Sequence, residues 1–152
     1  MAMYLQLRVG PVHLLLDALK VHEVMALDGL ARGAQSHVQW RDEVLQCLEL
    51  GPFLQVPAEP ATMAVVYSPA DEGLPLVLGV CEVLGLRALQ PKDWSAMPRL
   101  PAASAAFFDA VWLEPQHQRQ SFRLRYPLAA LALKPGEGVA VDPAVVEDLG
   151  QD

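Results

Sequence analysis

Four histidines and eighteen carboxylates are the groups with which this chain would hold a metal or move a proton, so their spacing is the first question. His13, His22, His37 and His117 stand apart, with no HxH, HxxxH or HExxH among them. In extended backbone, His22 and Glu23 point to opposite faces. No metal site, catalytic residue or cofactor is therefore expected. Ser36, Ser68, Ser95, Ser104 and Ser121 all lack the G-x-S-x-G setting of a nucleophile elbow. Gly136-Glu137-Gly138 reads as a turn and not as a phosphate cradle. Cys47 and Cys81 lie in apolar surroundings without CxxC spacing, the pattern of buried free thiols in a reducing compartment.

The charged residues point the same way. Arg119, Arg123 and Arg125 predict a small basic stripe on a solvated strand face, and a net charge of -7 argues against nucleic acid as a partner. Glu23 is the exception that needs an explanation. Alternation over Val21–Leu27 places it on one face with Val21 and Met25, where a carboxylate requires a partner. Trp94, in a proline-rich crossover, is the candidate for an exposed aromatic anchor.

The elements that must position these groups are organised around Leu74–Leu89, LPLVLGVCEVLGLRAL, the longest apolar run. It is too short and too interrupted by Gly79 and Gly85 to span a bilayer, and it has no helical polar face. It predicts two buried strands meeting near Cys81-Glu82. The blocks LLLDALKVHEV and LVLGVCEVLGL echo each other, a hint of a two-lobed β protein. With 152 residues, 53% hydrophobic and 19% charged, the chain fits one domain with a substantial core. Its N-terminus alternates without a basic and apolar leader, so the expected location is the cytoplasm, with no membrane insertion.

In chain order, Met3–Val9 alternates as a strand with Leu5, Leu7 and Val9 buried and Gln6 and Arg8 wet. Gly10-Pro11 turns it into Val12–Leu16. A single helical turn at Asp17-Ala18-Leu19 precedes a strand at Val21–Leu27. Ser36–Trp40 reads as a short strand, Arg41–Leu50 as a helix ended by Gly51-Pro52, and residues 52–61 as a linker between two lobes. Thr62–Tyr67 is a fully buried strand. Phe107–Leu113 and Gln120–Tyr126 form a hairpin around Glu114-Pro115-Gln116-His117. Short helices are expected over Pro127–Leu133 and Val145–Leu149.

This order resembles the CheW-like domain, the adaptor family that couples chemoreceptors to the chemotaxis histidine kinase, over nearly the whole chain. The resemblance rests on Asp17-Ala18-Leu19-Lys20-Val21-His22-Glu23-Val24, similar to a D-x-x-x-V-x-E-[VI] segment, and on Ala31-Arg32-Gly33, similar to L-R-G. It continues through Leu78–Gly85 and the Phe107–Leu133 region. It implies a mainly β fold of two intertwined five-stranded barrels around a shared core in one domain over residues 1–152, without enzymatic activity. It also implies partner binding through Val21, Glu23 and Arg32, with Glu23 and Arg32 as a salt bridge beside the receptor-facing surface. The partners implied are the histidine kinase, the cytoplasmic tip of a chemoreceptor, or both. The chain departs from the family in its short connection between Glu23 and Arg32, and in His37 and Trp40, which stand where the family has proline and aspartate. A scaffold of a surface-motility pathway without receptor coupling is the related alternative. A small β-barrel that binds a ligand is the competing class, recognisable by an apolar pocket with converging polar groups.

Overall fold

A computed structural model describes residues 1–32, 36–100 and 106–128, with the Arg32 side chain left aside. The helix expected at Val145–Leu149, most of the one expected at Pro127–Leu133, Ser104 and the Gly136–Gly138 turn lie outside the described residues.

Strands account for most of the described chain: β1 (Ala2–Val9), β2 (Val12–Asp17), β3 (Val21–Ala26), β4 (Ala31–Arg32), β5 (His37–Trp40), β6 (Glu43–Glu49), β7 (Met63–Tyr67), β8 (Leu76–Val80), β9 (Glu82–Leu89), β10 (Trp94–Ser95), β11 (Phe108–Glu114) and β12 (Arg119–Leu124). One short helix, α1 (Leu50–Leu54), and 3-10 turns at Ala18–Lys20, Leu27–Gly29 and Pro91–Asp93 complete the order. The strands form two curled six-stranded sheets, β10-β11-β12-β2-β1-β9 in a first lobe and β3-β7-β8-β6-β5-β4 in a second. Each has the expected five strands plus a strand of only two residues, β10 or β4.

The two orders are the same topology. Aligning them matches β9 with β3, β1 with β7, β2 with β8, β12 with β6, β11 with β5 and β10 with β4. Each lobe has its parallel junction at the equivalent place, β12 beside β2 and β6 beside β8. The second lobe is one continuous stretch, whereas the first is assembled from the N-terminal hairpin and the strands after β8. The echo of LLLDALKVHEV in LVLGVCEVLGL is therefore that of equivalent pairs, β2 with β3 and β8 with β9.

Two buried faces explain the unbroken apolar runs. Leu5, Leu7, Leu14, Leu16, Val65, Tyr67, Leu76, Leu78, Phe122 and α1's Phe53 meet in a core shared by both lobes. The residues between them turn inward within their own lobes: Ala64, Val66 and Val77 with Trp40 and Leu45 in the second, Leu15 with Tyr4 and Trp112 in the first. Each fully buried aliphatic side chain stabilises by about 1.5–3 kcal/mol, and the first of these clusters draws on strands of both lobes.

Several expectations need correction. Residues 43–49 form strand β6 and not a helix, because Leu45 and Cys47 alternate into the second lobe's interior. The helix begins where it was expected to end: Pro52 sits in the first turn of α1, where its missing N–H has no partner to lose, and Gln55 closes the helix with a left-handed φ of 56°. The proline-containing segment after it leads from α1 to β7 within the second lobe and does not join the lobes. It lies across the first lobe's hairpin turn, where Gly10 has φ +56° and a side chain would collide with the Pro57 carbonyl. The chain crosses between lobes at the Ala18–Lys20 turn and at Cys81 instead. Only half of Leu74–Leu89 is deeply buried: β8 is buried throughout, while β9 shows mostly half-buried and exposed residues.

Candidate functional site

β3 lies at one end of the second lobe's sheet and β5-β4 at the other, so curling the sheet brings the two ends together. Glu23 closes that seam. Its Oε1 accepts a hydrogen bond from the buried Trp40 indole N–H at 3.0 Å and another from Arg41 Nη2 at 3.4 Å. Arg41 also covers the Trp40 ring at 4.4 Å. It reaches that place because Arg41-Asp42 is a two-residue turn from Trp40 to Glu43, with a left-handed φ of 52° at Arg41. His22 lies beside the same indole, ring centroids 6.0 Å apart, and its Nε2 is 2.6 Å from Ser68 Oγ.

The expected residues are not on one face. A register shift between Val21 and Glu23 pairs Val21 with Tyr67 and Glu23 with Val66. Val21 consequently packs on the shared core, while Glu23 turns toward the second lobe's interior. The backbone of Arg32 pairs with Val38 on β5, the strand that carries Trp40, so both expected site positions border the seam. Trp40 and Arg41 were missed as the partners of Glu23, because the helix expected from Arg41 onward hid the tight turn. The alternation of Leu45 and Cys47 with Val44 and Gln46 was the signal for it.

The first lobe encloses a polar group in the equivalent space. Gln6, fully buried, donates to Ser121 Oγ at 2.9 Å and to Glu114 at 3.2 Å. Arg119 donates twice to Glu114 Oε2, both at 3.1 Å. Burial pushes the Glu114 carboxyl up, but hydrogen bonds from Gln6 and Arg119 outweigh it and hold the acid below its ordinary range. The arginine stripe is thus not simply solvated. Arg123 bonds Asp109 at 2.7 Å and lies 4.7 Å over Trp94, which meets Tyr4 edge-on at 5.2 Å. Trp94 is a half-buried part of the wall and not a free anchor. Arg8 grips Glu59 and Glu82 at 3.0 and 2.9 Å, tying the segment after α1 to the first lobe. The hydrogen bond from Arg8, first, lowers the Glu59 carboxyl to about 2. Cys47 is buried and Cys81 half-buried, and neither thiol is in a disulfide.

An apolar groove of about 440 Å³ lies between β6, the turn before β8 and the chain after β12, lined among others by Val44, Leu45, Leu74, Leu76 and Leu128. Among the described residues no helix is long and apolar enough to cross a membrane.

No protein-family model and no curated protein matches the sequence. The structure is similar to that of the scaffolding protein TtCheW from Thermoanaerobacter tengcongensis, at 11% identity, over 82% of this chain and 88% of that one, with a TM-score of 0.67. Paired curled sheets around a shared core, together with this likeness over most of both chains, give the chain a CheW-like fold.

Proposed function

We propose that the chain is a non-enzymatic adaptor that works in the cytoplasm by binding protein partners in a chemosensory pathway. The observation that carries this reading is the likeness to a scaffolding protein across both lobes and not within one alone. The charges support it too: the Glu23–Arg41, Glu114–Arg119, Asp109–Arg123 and Arg8–Glu59 pairs hold strands and segments together. The partner classes are a chemotaxis-type histidine kinase and the cytoplasmic tip of a chemoreceptor, and the seam bordered by Glu23 and Arg32 is the binding surface, with Val21 behind it on the shared core. β3 and β4 are joined by one 3-10 turn and Leu30. A connection this short leaves little wall for a receptor, so the kinase is the stronger partner.

Capture from native lysate, read by mass spectrometry, tests the class. Recovery of a chemosensory kinase or receptor supports the reading, and a bait that repeatedly recovers neither contradicts it. The second reading, a small-ligand carrier, is favoured by one observation, an apolar groove of about 440 Å³, within the usual size of ligand sites. Native mass spectrometry of protein purified from its own cells would reveal such a ligand as added mass.

A further inference from the structure

We propose that Arg87 is a latch of the first lobe: its guanidinium turns inward past Gly85 and donates to the buried Gln6 carbonyl, fastening β9 at the end of that sheet. The two lobes can be matched residue by residue, because their end strands each skip one residue at the same place. β3 pairs Val21 with Tyr67 and Glu23 with Val66, passing over His22. β9 pairs Val83 with Leu7 and Gly85 with Gln6, passing over Leu84. Glu23 thus corresponds to Gly85. Trp40 likewise corresponds to Glu114, each being the last residue before its hairpin turn, paired with Glu43 and Arg119. In the second lobe the Glu23 carboxylate bonds the Trp40 indole and ties the two ends of the sheet together. In the first lobe Gly85 offers no side chain, and Glu114 takes its hydrogen bonds from Gln6 and Arg119. Among the described residues no such bond crosses from β9.

Two groups beside that gap lack the partners their chemistry calls for. Both hydrogen bonds of the fully buried Gln6 amide run from Nε2, to Ser121 and Glu114, and Oε1 has no partner among the described residues. A buried acceptor left in this way is destabilising. β9 flanks β1 on the side away from β2 and β12, and opposed residues on neighbouring strands share a face, so a side chain at position 85 would stand beside Gln6. Arg87 reaches that place from two residues further on. Its Nη1 lies 3.3 Å from the position a Gly85 Cβ would take, and apart from the adjoining residues nothing else comes within 4 Å. The φ of +125° at Gly85 favours glycine and so keeps the opening clear. Half-buried, Arg87 donates to the neighbouring Leu86 carbonyl at 3.0 Å, and no carboxylate among the described residues pairs with it. A guanidinium carries five donors, so the inward turn satisfies Gln6 Oε1 and closes the first lobe with a cation where the second uses a carboxylate.

Hydrogen exchange of the full-length protein, read by mass spectrometry, tests the latch. Arg87→Ala should speed exchange of the β9 amides at least about fivefold while the buried strand β8 is unchanged. In a Gln6→Met background, which keeps the bulk and removes the acceptor, the same substitution should change β9 less than about twofold. Unchanged β9 exchange in Arg87→Ala would overturn the proposal, and so would equal acceleration in both backgrounds, which would assign the effect to the Leu86 carbonyl. Nuclear magnetic resonance of the unaltered protein gives a reading that does not depend on how Gln6→Met folds. The Arg87 Nε–H signal should persist at neutral pH, where that of the exposed Arg99 is lost to exchange with water. Loss of both signals together would overturn the latch.

Discussion

The two lobes share one strand topology and fill it with different chemistry. The second lobe's interior is apolar, with Trp40, Leu45, Val66 and Val77 at its centre and one carboxylate, Glu23, at its seam. The first lobe's interior holds Gln6, Ser121 and Glu114 in a hydrogen-bonded group answered by Arg119. The same barrel closure is thus reached once by packing and once by a buried polar network. What the lobes hold in common is the core between them, to which both contribute alternate residues of their strands. That shared core should set overall stability, and each interior should contribute a smaller and separable part.

The largest expected effect is on the shared core. Val80 is fully buried, so Val80→Asp should abolish soluble folding through an unpaired buried charge. Leu86, in the same apolar run but 56% exposed on β9, should accept aspartate within about 0.5 kcal/mol. Expression and thermal denaturation of both variants check this, and a soluble Val80→Asp protein would remove the shared core from the account.

Next is the polar interior. Arg119→Ala leaves Glu114 buried without its cation and should cost about 3 kcal/mol, measured by urea denaturation at neutral pH. Because the folded Glu114 carboxyl is depressed, its contribution is present above the ordinary glutamate value of about 4.3 and is lost as pH falls below it. The unaltered protein should therefore lose stability below about pH 4.3. Arg119→Ala should flatten that loss.

Smaller still is the seam of the second lobe. Glu23→Ala leaves the buried Trp40 N–H without its acceptor and should cost about 1–2 kcal/mol. A Trp40→Phe background should shrink that cost, which a double-mutant cycle reads directly. Arg32→Ala should leave stability within about 1 kcal/mol while weakening partner capture.

The same contrast shows what could be read before the structure. Alternation in β1, β3 and β12, the turn at Gly10-Pro11 and the echo of β2–β3 in β8–β9 were all visible, because period-two patterning is local. The burial of Gln6 was not. Alternation says that Gln6 and Arg8 share a face, but only the curl of the whole sheet decides that Gln6 is enclosed while Arg8 reaches the rim. Glu23 announced its need of a partner, yet Trp40 is delivered by the far end of the sheet. The β6 sequence predicts a helix because Val44, Leu45 and Leu48 fit a helical spacing as well as a strand. For the site, Glu23 was legible as a residue and its neighbourhood was not.

The adaptor reading is tested most directly by isothermal titration calorimetry. The purified protein is titrated, at one ionic strength, with the regulatory domain of a chemosensory kinase and with a chemoreceptor tip from the same organism. The short β3–β4 connection predicts that the kinase domain binds tighter by about tenfold or more, roughly 1.4 kcal/mol. Binding of neither would contradict the adaptor reading, and a receptor tip that binds at least as tightly as the kinase domain would contradict the predicted order.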